Sequence, residues 1–116
     1  MGIYIKDAGT PKTAQAFNWD GNEDNATSAS IALATAHVIE WWHDSGSVFV
    51  CVNNGTPVSV ASGNTTNVGG GMGIGHAYTG STRYFDGKIF EVALLSAKPA
   101  SRATIAANFM TQCGAI

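Results

Sequence analysis

Charge is what this chain has least of. Only 12% of its 116 residues are Asp, Glu, Lys or Arg, about half the usual share. The six basic residues are scattered, which excludes a nucleic-acid groove, because gripping phosphates needs several cations together. A net charge of −2 points the same way. No apolar run approaches the ~20 residues of a membrane-crossing helix, so no membrane span is expected. Met1-Gly2-Ile3 runs directly into strand-like sequence, without the charged and then apolar pattern of a signal peptide. Two cysteines, Cys51 and Cys113, carry no disulfide-framework signature. Two free thiols are expected, Cys51 being buried, and a bond between them is the alternative. The chain also has no nucleophile elbow, no phosphate loop and no His-x-x-x-His element.

What is present reads as β structure. Hydrophobic residues make up 45% of the chain, enough for one folded domain over residues 1–116. The polar surface must come from Thr, Ser, Asn and Gly, a composition common in secreted and virion surface proteins. Residues 3–6 form a short strand, closed by the Gly9-Thr10-Pro11 turn. Residues 14–19 form a second strand, with Ala14, Ala16 and Asn18 opposite Gln15, Phe17 and Trp19. A polar loop over residues 20–25 leads to a third strand over 27–32 and a long fourth over 33–43. Leu33, Ala36, Val38 and Trp41 approximate helical spacing, but β-branched and aromatic content favours the strand. Asp44-Ser45-Gly46-Ser47 then turns into the clearest strand of all, residues 47–53. Asn54-Gly55 supplies the dipeptide of a two-residue hairpin turn. Pro57 just beyond it marks residues 58–61 as an edge strand.

Residues 62–71 form a Gly/Asn/Thr loop long enough to be exposed and functional. Two more strand-like runs follow, 72–78 and 88–95. In the second, Phe90, Val92 and Leu94 share one face, with Ile89, Glu91 and Ala93 on the other. Gly73-Ile74-Gly75 followed by Phe85-Asp86-Gly87-Lys88-Ile89-Phe90-Glu91-Val92 resembles the closing strands of laminin-G-like, concanavalin A-type sandwich domains. Residues 101–112 match the short helix that follows those strands, with Gly114 placed to end it. Cys113-Gly114-Ala115-Ile116 is similar to the family's Tyr-Gly-Ile ending. Upstream, His37-Val38-Ile39 and Val48-Phe49-Val50-Cys51-Val52-Asn53-Asn54-Gly55 resemble two earlier strands of the pattern. Lys98-Pro99-Ala100-Ser101 departs from the family's Leu-Ser-x-x-Glu cap.

The resemblance implies an all-β fold: an antiparallel jelly-roll-like β-sandwich with a short C-terminal helix. It covers residues 34–116, so the opening strands are largely missing. Either the domain is minimal at its N-terminal side or another chain completes the sandwich, which makes a homo-oligomer or larger assembly the expected state. The same resemblance implies glycan or protein binding, so the chain is expected to be a non-enzymatic recognition module, in the extracellular or virion-surface setting that its composition suits. A purely structural subunit of such an assembly is the alternative, and a polysaccharide hydrolase the third reading. Related glucanases alternate two or three carboxylates along one strand. Here Glu40 and Glu91 stand singly among apolar residues, so no catalytic residue is assigned.

Trp41-Trp42 is the most informative pair for binding. Neighbours in a strand point to opposite faces, so one indole enters the core and the other lies outside. The outer ring is either a platform for a sugar or protein, or is covered by a helix, loop or second chain. Asn64 and Asn67 of the 62–71 loop, His76 and Tyr78 complete the candidate ligand surface. Asp20-x-Asn22-x-Asp24 has the oxygen alternation of a calcium loop but lacks the glycine and glutamate of an EF-hand. A plain turn is the competing reading, and no other cofactor is expected. His37 and His43 lack a third zinc ligand. One packed ring and one solvated beside Asp44 are expected.

Overall fold

Alternation along the strands decides which side chains meet. A computed structural model describes residues 2–6, 12–19, 23–32, 34–63, 88–95 and 98–114. Strands β1 (Gly2–Lys6), β2 (Thr13–Trp19) and β3 (Glu23–Ser30) form one antiparallel sheet in that order. Strands β4 (Ile39–Asp44), β5 (Ser47–Val52) and β6 (Val58–Ala61) form a second. One helix, α1 (Arg102–Cys113), follows. The described residues are therefore mostly β: two three-stranded meanders and a short helix.

Ile3 and Ile5 stand opposite Ala16 and Ala14, and Ala16 stands opposite Ala26. All project on one face of the first sheet because every second residue does. On the second sheet the register pairs Ile39 with Val52, Trp41 with Val50 and His43 with Val48. These inner faces share one apolar cluster of Ala14, Ala16, Ala26, Val48 and Val50, with Ile3, Ile5, Ile39, Trp41, Val52 and Val60 packed against it. Alanines on one face let the valines of the other approach closely. Asn18 Nδ2 donates to Ser62 Oγ at 2.9 Å, both residues buried, which ties the first sheet to the end of β6.

Two local devices keep the ladders satisfied. Between Thr13 and Gln15 the β2–β3 register slips by one. Ala14 N–H, displaced from the regular ladder, donates to Ser28 Oγ at 2.9 Å, and that hydroxyl donates to Ala29 O at 2.6 Å. A buried N–H without such a partner would cost about 1–3 kcal/mol. Ser45 and Gly46 both take positive φ, 49° and 72°, in the two-residue turn that Asp44 and Ser47 close; that hand matches strand twist.

Several sequence expectations need correction. The polar loop expected over residues 20–25 is not all loop: Asp24 pairs with Asn18 inside β3. Asp20 and Asn22 lie outside the described residues. The fourth strand starts at Ile39, not near residue 33, because the chain folds back on itself first. His37 Nε2 lies 2.7 Å from Ala32 O, Thr35 Oγ1 donates to the same carbonyl at 3.0 Å, and Ala34 takes φ 67°. The second turn is centred on Asn53-Asn54, with φ 50° and 55°, and Gly55 N–H donates to Val52 O at 3.0 Å. Asn53 is drawn there because its Oδ1 accepts Val38 N–H at 2.9 Å. Residues 88–95, expected as a strand, join neither sheet and are exposed throughout. Period-two apolarity gives a segment the capacity to pair, and pairing itself needs a neighbour for its N–H and C=O groups. The partner run, 72–78, lies outside the described residues.

Candidate functional site

The outer face of the second sheet is where side chains of distant segments converge. Strand parity sends Glu40, Trp42 and Asp44 outward from β4, and Phe49 and Cys51 outward from β5. Trp42 and Phe49 are directly opposite, and their rings stack at 5.0 Å and 5°. The segment entering α1 lies over them. Arg102 Nη1 meets Glu40 Oε1 at 2.7 Å, and its guanidinium carbon sits 5.2 Å from the Trp42 ring. Lys98 Nζ meets Asp44 Oδ2 at 3.3 Å and sits 5.9 Å from the same ring. Two carboxylates and two cations thus bracket one indole.

The two ion pairs differ in worth. The Arg102 and Glu40 side chains are 21% and 16% exposed, against 42% and 45% for Lys98 and Asp44. Water screens the second pair, which contributes little; the first is short and shielded, and carries the attachment. Burial works against the Arg102 charge, but the Glu40 hydrogen bond and charge outweigh it and raise the pKa. Ser45 Oγ and then Lys98 hold the Asp44 carboxyl below its usual range. Cys51 is buried beside this group and its thiol donates to Gly55 O at 3.2 Å. Burial pushes that thiol up, against the pull of Arg102, so it is a packed side chain rather than a nucleophile. Cys51 and Cys113 are both free.

Of the sequence candidates, Trp41 packs against the core, and Trp42 is the outer ring. Trp42 is half-buried, with the Arg102 guanidinium 5.2 Å from its ring, which favours the covered-ring reading over the free platform. Its Nε1, like His43 Nε2 and Asn25 Oδ1, is buried with no hydrogen-bond partner among the described residues. His43 is therefore not the solvated histidine expected beside Asp44. His37 is held by Ala32 O and by Asn53 Nδ2, which donates to Nδ1 at 3.2 Å; these partners fit the tautomer with hydrogen on Nε2. Among the described residues no three His, Cys, Asp or Glu side chains gather to hold a metal ion. No described helix is long and apolar enough to cross a membrane. Asn64, Asn67, His76 and Tyr78 lie outside the described residues.

Sequence reasoning missed Arg102 and Lys98 as lids on Trp42. The signal available was slight: a basic residue at the start of a helix, where its charge opposes the dipole, has to find compensation elsewhere. A second feature lies at the exposed segment. Ile89, Phe90, Val92, Leu94 and Leu95 are 48%, 72%, 43%, 58% and 58% exposed. Glu91 joins Ile105, Asn108, Phe109 and Gln112 in lining a shallow groove of about 200 Å³ against α1. Comparison with protein-family models, curated proteins and solved structures returned no match to this chain.

Proposed function

We propose that this chain is a non-enzymatic recognition or structural module that works through contact with protein, in an assembly on an extracellular or virion surface. Its fold in this reading is a jelly-roll-like antiparallel sandwich of laminin-G-like type. The observation that carries the reading is the exposed apolar run at 88–95, with five large side chains in solvent. Monomeric proteins rarely leave such a contiguous patch in water, and patches of this kind mark interaction sites. Low charge and a Thr/Ser/Asn/Gly surface suit a secreted or virion setting.

A glycan-binding reading is weaker, because the Trp42 ring that would stack on a sugar already carries two cations, Lys98 and Arg102. Glu40, the carboxylate best placed beside that ring, is engaged by Arg102, which also disfavours a hydrolase. A glycan array probed with the purified chain is the test. No signal at millimolar ligand is the expected result. A glycan hit abolished by Trp42→Ala would overturn the protein-contact reading, and hydrolysis lost in Glu40→Gln or Glu91→Gln would restore the enzyme.

A further inference from the structure

We infer that residues 88–95 pair with the same residues of a second copy, as antiparallel strands about a two-fold axis at Val92. The inference rests on the protein-contact reading and names its partner. The sequence pattern around Val92 is its own complement. With Val92 opposite Val92, Phe90 falls opposite Leu94, Leu94 opposite Phe90, and Ile89 opposite Leu95. Every large apolar side chain of the run then meets another, and Glu91 meets Ala93. Shifting the axis to Glu91 sets two carboxylates directly opposite, and shifting it to Ala93 sets Glu91 against Leu95. The first is penalised because directly opposed like charges destabilise a strand pair, and the second because it sets a carboxylate against an apolar side chain. In the Val92 register the two Glu91 side chains are only diagonal neighbours, at ~7 Å, where water and salt screen them.

Exposure and area agree with this occupant. Among the described residues the run pairs with neither sheet, and its side chains are exposed. At these exposures, five such side chains leave on the order of 500 Å² of apolar surface per copy, and pairing with a second copy removes from water the part of it that faces the partner strand. A net charge of only −2 per chain puts little self-repulsion in the way.

The test uses the full chain with Cys51 and Cys113 replaced by Ala, carrying Val92→Cys. On mild oxidation or with a short bis-maleimide it should give a covalent dimer, while Ala107→Cys on the exposed side of α1 should not. In the wild-type cysteine background, Val92→Lys should weaken self-association by at least ~100-fold in light scattering. Val92 is already 43% exposed, so its circular dichroism should match wild type and keep the loss interpretable. A wild-type chain that stays monomeric at 100 μM overturns the inference. So does a dimer that survives Val92→Lys and fails to cross-link through residue 92. Either failure leaves the protein-contact reading to the glycan array, which is independent of this surface.

Discussion

Arg102 illustrates how a single side chain sets the position of an element. Its guanidinium is bound to Glu40 and lies over Trp42, linking residues 62 positions apart. Removing the charge while keeping most of the stem, in Arg102→Gln, leaves Glu40 half-buried and the indole uncovered. A cost of about 1–2 kcal/mol is expected, from a shielded charge-assisted hydrogen bond plus a cation–π contact of ~0.5–1 kcal/mol. Urea unfolding reads that loss, and Trp fluorescence should shift red as Trp42 gains water. An unchanged midpoint and spectrum would mean that Arg102 does not hold the helix. Part of this was legible in advance: strand parity alone required Trp41 and Trp42 to part, and a helix over the outer ring was one of the readings left open. The identity of the lid was not legible, because no local pattern encodes a contact between residues so far apart.

At the scale of elements, turns and alternation were the readable features. Asp44-Ser45-Gly46-Ser47 was legible because the left-handed conformation at both central positions restricts which residues fit. Gly46 tests this directly. A Cβ there would meet only Ser62 O at 3.9 Å, ordinary contact, so the cost of Gly46→Ala is conformational and not steric. With φ at 72°, the variant should lose about 1 kcal/mol, seen as a lower thermal midpoint with the β spectrum retained. A neutral result would mean that the turn relaxes to another type. What alternation could not show was the register slip at Ala14, which depends on the Ser28 hydroxyl across the ladder. Nor could it place the start of β4, where His37, Thr35 and Ala32 close a local fold that outcompetes the strand. Residues 88–95 show the same limit from the other side. Their period of two is real, but whether it becomes a strand depends on a neighbour.

At the scale of the whole molecule, the core among the described residues is thin. Of the buried cluster, three members are alanines and two are valines, so the two sheets gain close approach but little apolar area per residue. Hydrophobic stabilisation scales with area removed from water, ~25 cal/mol per Å², and alanine supplies little of it. Meanwhile larger side chains, Phe90 and Leu94 among them, remain in solvent at 88–95. A chain whose described core is built largely on alanine and valine, while several larger apolar groups stay outside, should gain stability by association. Stability then depends on concentration, because anything that binds the folded state and not the unfolded one shifts the balance by mass action. For a dimer of chains this size, with unfolding entropy near ~2.1 cal/mol/K per residue, the midpoint should rise by about 3 °C for each tenfold increase in concentration. Scanning calorimetry from 5 to 500 μM measures this, and Val92→Lys should flatten the dependence. A wild-type midpoint constant across that hundredfold range would show that the small core is sufficient alone, and that the exposed run contributes nothing to folding.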